Sequence, residues 1–413
     1  MTTTLPSPAP TDAQRPRNTL IGQTLGHPLA DFHLVVAIGA VLIGFGIVMV
    51  SSASSVTAQA MFGDPYHFGK RQTLFALVGL AAAWLLSRLD SRLLRRLAWP
   101  ALALAMVLLM LTFTSLGVEV SGNRNWLRFG PSWTQFQPSE FAKLALIVWG
   151  ARFLADRRQW LDDMRQWFAF LLAGGLVAGL VLFQKDLGTA SVIGLMILGT
   201  IFMAGAPARL VLAIGALAAA GVGLLSLLQP YRMHRLSAWL RPDSDPMGAN
   251  YQPNHGLYAL ASGGWWGQGL GASKQKWGLL TASHTDYILA IVGEELGLAG
   301  TLTVIFLFFA LGYLGLRVAM RSEDHFLRFV ATGVTIWFVC QAVVNIAVVF
   351  RLSPVLGVTL PLVSYGGSSL IATTMGIGLL VGCARQEPEA SRALAERRVG
   401  SGRVTSIFGR RRT

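Results

Sequence analysis

The chain has 413 residues, of which 53% are hydrophobic and only 13% charged, with a mean hydropathy of +0.53 and a formal net charge of +14. Soluble domains carry charge at about 25% of positions, so this composition excludes a soluble globular fold. It also argues against a nucleic-acid partner, because the Lys and Arg lie in short segments between apolar runs and in the tails, not along one face.

Residues 1–30, rich in Thr, Pro, Ser and Ala, are expected to form a disordered cytoplasmic tail. The first apolar run, Val35 to Val50, is followed by small residues from Ser52 to Ala60 that resemble a cleavage site. The run is longer than a signal-peptide core and a long polar tail precedes it, so it reads as an uncleaved anchor. Runs of about 17 to 25 apolar residues, enough to cross the hydrocarbon core, centre near Ala40, Leu80, Leu108, Leu146, Ala173, Leu195, Ala216, Phe306, Phe338 and Leu379. The expected fold is therefore all-α and polytopic, with about ten transmembrane helices in a membrane domain over residues 31–384 and a basic cytoplasmic tail over 385–413.

Most of the 34 Lys and Arg, including Arg92, Arg95, Arg96, Arg157, Arg158, Arg321 and those from Arg385 onward, fall on one side, which places both termini in the cytoplasm. Against that bias stand Lys70, Arg71, Arg124, Arg128, Lys143, Lys185, Arg232, Arg235, Arg241, Lys274, Lys276 and Arg351. Snorkelling from helix ends explains any single one as well as function does, but together they suggest an anionic ligand outside. The basic C-terminal tail reads as a topology-fixing segment, with binding to anionic membrane lipids as the alternative.

One connection, residues 229–285, is far longer than the rest and is expected to be a large extracytoplasmic loop with a functional role. It holds Tyr231, Arg232 and Met233, then the glycine-rich run Gly263 to Gly271 with Trp265 and Trp266, which lacks the order of a nucleotide P-loop. Cys340 and Cys383 sit inside apolar runs and offer no disulfide framework, and the histidines have no HExxH-like spacing. No cofactor is implied with certainty; a divalent cation, Mg or Mn, would be held by carboxylates, with Asp286 the candidate.

Ionisable residues at span ends need a reason, because unpaired charge in hydrocarbon is costly and usually turns toward a cavity. In chain order they cluster at Gln137-Pro138-Ser139-Glu140 with Lys143, at Gln184-Lys185-Asp186, and at His284-Thr285-Asp286 with Glu294 and Glu295. A fourth polar cluster, Ser364-Tyr365-Gly366-Gly367-Ser368-Ser369, reads as a glycine-rich re-entrant turn. Pro138 suits a helix start, and Glu140 and Lys143 stand three apart, so a capped and paired helix end explains the first cluster as well as ligand contact does. Lys185 and Asp186 follow a span end, where they can neutralise one another. Asp286 lies where the long connection meets apolar Tyr287-Ile288-Leu289-Ala290. Partial desolvation there would raise its proton affinity toward that of a general base, with helix capping by Thr285 or Asp286 as the alternative.

These clusters, with Ser52-Ala53-Ser54-Ser55, Gly63-Asp64-Pro65, Lys70-Arg71-Gln72, Trp126, Asp186-Leu187-Gly188-Thr189, Tyr231-Arg232-Met233, Ser262-Gly263-Gly264, Gly269-Leu270-Gly271, Gly293-Glu294-Glu295-Leu296-Gly297 and Leu360-Pro361, run in a recognisable order from Ser52 to Gly382. In them the chain resembles the SEDS family, the shape, elongation, division and sporulation membrane proteins of bacterial wall synthesis. Gly269 to Lys276 looks more like its division branch than its elongation branch.

The resemblance implies a peptidoglycan glycosyltransferase that polymerises lipid II, the undecaprenyl-diphosphate-linked disaccharide-pentapeptide. It further implies a class B penicillin-binding protein and other divisome proteins as partners, in the cytoplasmic membrane at the division septum. It puts the catalytic aspartate on Asp286, a functional tryptophan on Trp126 and the charged positions of the QPSE motif on Glu140 and Lys143. Departures are Leu280-Thr281-Ala282-Ser283 for Leu-Pro-Glu-Ala, Asn125 for an arginine, Lys185 for a proline, and Phe350-Arg351 where glycine is common.

Glycan extension needs a base for the attacking hydroxyl and positive charge for the departing diphosphate. Asp286 is the candidate base or cation holder, and Arg71, Arg124, Lys143, Lys185 and Arg232 are the candidate diphosphate cations. Trp126 would stack on a sugar or anchor at the bilayer surface. Glu140, Asp186, His284, Thr285, Glu295, Ser364 and Ser368 complete the candidate substrate-binding set. A lipid II flippase or a non-catalytic divisome scaffold are the alternative functions.

Overall fold

The computed structural model describes residues 27–396 apart from 121, 131–134, 158–163, 228–229, 243 and 395. The expected N-terminal tail lies almost wholly outside the described residues, as does the basic tail beyond Glu396.

The helices are α1 (Ala30–Phe62), α2 (His67–Leu86), α3 (Ser91–Leu111), α4 (Pro138–Asp156), α5 (Met164–Phe183), α6 (Leu187–Met203) and α7 (Ala208–Leu227). They continue with α8 (Pro230–Leu240), α9 (Tyr251–Gly263), α10 (Ile288–Arg321), α11 (His325–Val349) and α12 (Gly367–Arg385). Every apolar centre read from the sequence falls inside a helix, as hydrocarbon demands of a backbone that must satisfy its own polar groups. Among the described residues six helices, α1, α3, α5, α10, α11 and α12, are long and apolar enough to cross a membrane by length and composition. The small residues from Ser52 to Ala60 continue α1 without a break.

Burial sorts these helices into inner and outer ones. The most apolar stretch of α12 is 78% buried and that of α11 is 67% buried, against 28% for α3 and α5. α11 packs on α4, α6, α10 and α12, and α2 lies along α12. Apolar side chains such as Leu74, Leu77, Leu104, Leu172 and Leu217 stay exposed on the outer helices, as lipid-facing positions would.

At the end remote from the polar clusters, buried Asp31 pairs with Arg317 and Arg321, each at 3.1 Å, and Arg321 also reaches Glu389 at 2.7 Å. These pairs tie the start of α1 to the end of α10 and to the segment after α12.

Two features depart from a chain of spans joined by loops. Between α3 and α4 stands an antiparallel sheet of β1 (Gly117–Val120), β2 (Asn123–Arg128) and β3 (Gln135–Phe136), in the order β1-β2-β3. Its register pairs Val118 with Trp126 and Leu127 with Phe136. The all-α expectation holds for the chain as a whole, and this short sheet is an addition to it. The long connection over residues 229–285 is also not an open loop, since it contains α8 and α9.

Candidate active site

The site is built on two amides that sequence reading passed over. Gln341 and Asn345 stand four apart on α11, hence on one helix face, and both are buried. Asn345 Nδ2 donates to the Asp286 carbonyl at 2.8 Å and to Val358 O at 2.7 Å, while Gln341 Nε2 donates to Thr359 O at 3.0 Å. The extended segment leading to Leu360 is thereby fixed along α11, with the backbone of Asp286 beside it. The signal was present, because an amide inside an apolar span must find a partner.

Helix capping does not explain His284-Thr285-Asp286. The N-cap of α10 is Tyr287, without a side-chain capping bond, and the Thr285 hydroxyl donates to Ala282 O at 3.2 Å. The Asp286 carboxylate lies against Gly357, where an added Cβ would stand 3.7 Å from Oδ2. Burial, reinforced by the charge of Asp186 and opposed by Arg235, pushes the Asp286 carboxyl up to about 6. Burial also pushes His284 down to about 4, so its imidazole is neutral. His284 packs by Phe68 and Tyr365, with ring centroids 4.9 and 5.6 Å away, and its carbonyl accepts from Tyr365 N at 2.9 Å. It thus joins the Asp286 segment to the re-entrant turn.

Asp186 is the second centre. It caps α6, accepting at Oδ1 from Thr189 N at 2.9 Å. Its Oδ2 accepts from Thr189 Oγ1 at 2.9 Å, Asn125 Nδ2 at 2.8 Å and Gln137 Nε2 at 3.0 Å. Lys185 does not neutralise it: that residue is exposed with φ 67, and the cation electrostatically coupled to Asp186 is Arg232, whose Nη2 donates to Lys185 O at 3.2 Å. Two residues on, Gly188 presses on the extended segment, and a Cβ there would overlap Leu356 O. Gly188→Ala is therefore expected to cost about 1–3 kcal/mol through forced backbone shifts, read as a lower melting temperature of the purified protein.

Glu140 and Lys143 pair as their spacing suggested, at 2.9 Å, but deep in the protein, with side chains 6% and 1% exposed. Lys143 Nζ also donates to Gln341 Oε1 at 2.8 Å and lies 4.9 Å from the Trp337 ring centroid. Lys143 thus faces Glu140 and Gln341 instead of an open diphosphate site, and Gln341 in turn donates to Thr359 O on the extended segment.

Several other candidates make contacts within the protein. Ser368 Oγ accepts from Gln137 N at 2.9 Å, and Ser364 Oγ accepts from Leu360 N at 2.9 Å. Glu295 lies in a separate lock, with Ser52 Oγ 2.7 Å from both carboxylate oxygens and Lys276 Nζ at 3.5 Å. Next to that lock α10 breaks at Gly297, whose φ of 68 and ψ of −164 free neighbouring backbone groups. Gln268 N and Gly269 N donate to the carbonyls of Glu294 and Glu295 at 2.9 and 3.0 Å. Leu298 N donates to Gly264 O at 2.9 Å.

Arg71 lies on the Tyr365 side, 6.0 Å from the Phe75 ring centroid. Arg124 is exposed at the sheet and donates to Thr114 O at 2.7 Å. Trp126 is half-buried on β2. The structure therefore brings Asp286, Asp186, Arg232 and Arg235 into one electrostatic neighbourhood, flanked by His284, Tyr365 and Arg71. Arg235 was not singled out for the site from sequence.

Among the described residues no three His, Cys, Asp or Glu side chains converge on a metal position, and the Asp186 oxygens are already engaged by amide, hydroxyl and backbone donors. The donor set therefore does not fit a resident cation held by protein alone.

Comparison with known proteins places this geometry. The chain is 40% identical over 382 residues to the probable peptidoglycan glycosyltransferase FtsW of Mycobacterium tuberculosis, covering 92% of this chain and 72% of that protein. It is 41% identical over 359 residues to the protein of the same description from Trichlorobacter lovleyi, covering 86% and 93%. A solved structure described as "Structural coordination of polymerization and crosslinking by a peptidoglycan synthase complex" superposes with a TM-score of 0.70 at 29% identity, covering 86% of this chain and 97% of that one. The family description FTSW_RODA_SPOVE, cell cycle protein, matches residues 32–389. With the motif residues assembled around Asp286 and Asp186 and the match running through nearly all the described residues, the chain belongs to the FtsW/RodA/SpoVE family of cell cycle proteins, the SEDS family.

Proposed function

We propose that this multi-pass membrane protein is a peptidoglycan glycosyltransferase that polymerises lipid II at the outer face of the bacterial cytoplasmic membrane during septal wall synthesis. In this reading the chain crosses the bilayer about ten times, with both termini in the cytoplasm and the Asp286 end outside. The observation that carries it is the Asp286 carboxylate held against Gly357 just before α10, its proton affinity raised by burial, in one electrostatic neighbourhood with Asp186 and Arg235.

A sugar hydroxyl of the acceptor gives its proton to Asp286 as its oxygen attacks the anomeric carbon. The bond from that carbon to the diphosphate oxygen breaks, the configuration inverts, and the diphosphate leaves with the bonding electrons. In this reading Arg232 and Arg235 meet that charge, with Arg71, Arg124 and Lys185 at the rim. The lipid tail would lie in the membrane, where a small apolar cavity is lined by Ile147, Gly150, Phe170, Met196 and Gly333. The likeness to a peptidoglycan synthase complex supports a class B penicillin-binding protein as partner.

A base that must be ionised to act gives rate a rising acid limb. Polymerisation of labelled lipid II by the purified protein with such a partner is expected to fall to half its plateau at a pH of about 6 and to about a tenth near pH 5. A rate independent of pH down to that value would remove Asp286 as the base.

A further inference from the structure

Arg351 follows the C-cap of α11 with φ 59, a left-handed conformation that favours glycine. Its side chain is anchored on two other elements. Nη1 donates to Asn254 Oδ1 at 2.6 Å on α9. Nη2 donates to Asn250 Oδ1 at 2.7 Å, just before α9, and to Ala238 O at 3.4 Å on α8. Its carbonyl in turn accepts from Trp239 Nε1 at 3.0 Å, also on α8. Asn250 is fully buried and donates to Arg241 O at 3.2 Å, so the far side of the clamp is itself fixed.

What this clamp holds is close to the reaction centre. Arg235 lies four residues before Trp239, on the same face of α8, and its Nη1 donates to Val355 O at 3.3 Å. The Asp286 carboxylate stands against Gly357, two residues further along that segment. Arg235, Trp239, Asn250, Arg351 and Val355 line one small cavity.

We propose that Arg351 is a positioning residue for polymerisation: it pins α8 to the end of α11 and so sets where the Arg235 guanidinium stands relative to the Asp286 carboxylate. The proposal rests on the glycosyltransferase reading above. The charges acting on Asp286 are Asp186 from the start of α6 and Arg235 from α8, while Arg351 acts on the adjoining Tyr287 and His284 is neutral. Loosening α8 removes the opposing cation and leaves Asp186 and burial unopposed, so the base gains its proton at a higher pH.

The test is Arg351→Gly, which suits the backbone angle and removes the three side-chain bonds of the clamp while keeping the carbonyl that accepts from Trp239, with Arg351→Lys and Asn254→Ala alongside. Lipid II polymerisation is followed from about pH 5 to pH 8, together with the melting temperature. Arg351→Gly is expected to keep the fold, to lose about tenfold in kcat, and to move the acid limb up by about one pH unit. Arg351→Lys cannot span three acceptors and should shift the same way. Asn254→Ala, which leaves Arg351 in place, should shift less in the same direction.

A rate that falls with the acid limb unmoved, or a profile like the wild type's, overturns the proposal. If Arg351→Gly melts before it can be assayed, Asn254→Ala decides by the same criterion. Failure of the wild type to polymerise would instead overturn the glycosyltransferase reading.

Discussion

Asp286→Asn is expected to lower lipid II polymerisation by about 10²–10⁴-fold, the range attributed to a positioned general base, while making the folded protein more stable at neutral pH. The two effects share one cause. Burial and Asp186 raise the Asp286 carboxyl from its ordinary 3.8 to about 6, so the folded state binds that proton more tightly than the unfolded chain does. The penalty for ionising it in place is absent below the ordinary value, grows as pH rises through the window, and is complete above about 6. Asparagine removes the charge and hence the penalty. Melting temperatures of wild type and variant should therefore converge near pH 4 and separate above pH 6, with the variant higher. Equal melting temperatures at pH 7 would mean that the carboxylate is not desolvated.

Glu140→Ala is expected to be the most destabilising single change, at about 3–5 kcal/mol, because it strands a buried cation. Lys143 is 1% exposed, and Gln341 Oε1 would remain as a neutral acceptor that already serves Trp337 Nε1 at 2.7 Å. Glu140→Gln keeps an acceptor and should cost less. Replacing both partners, as Glu140→Leu with Lys143→Met, should recover most of the lost stability. Equilibrium unfolding in detergent measures all of these, and a cost below about 1 kcal/mol for Glu140→Ala would show that the pair is hydrated.

The legible part of this protein was local. Apolar runs named the helices because the bilayer leaves the backbone no other economical structure, and Asp286 stood out because a charge met an apolar run. What escaped was whatever depended on contacts distant in sequence. Glu295 was read as a substrate-binding candidate, and its partners Ser52 and Lys276 come from α1 and from the segment after the glycine-rich run, a convergence that sequence spacing does not show. Lys185 and Asp186 invited a neighbouring ion pair, yet the positive φ of Lys185 and the donors from Asn125 and Gln137 separate their roles. The short sheet was masked by the apolar runs on either side, and Gly117 to Val120, two half-buried residues followed by two exposed ones, carries no alternating strand signal. Gln341 and Asn345 were readable as buried amides, but their target became visible only with the segment at Val358 and Thr359 laid beside α11.

The central claim is that this chain joins sugars rather than moving or merely gathering their carriers. Detergent micelles separate these, since without a bilayer there is nothing to cross. Purified protein with a class B penicillin-binding protein inactivated in its cross-linking site should convert labelled lipid II in micelles into a ladder of glycan strands, and the Asp286→Asn protein should not. Transbilayer movement of lipid II in vesicles, with no glycan strands formed in micelles by the wild type, would contradict the account.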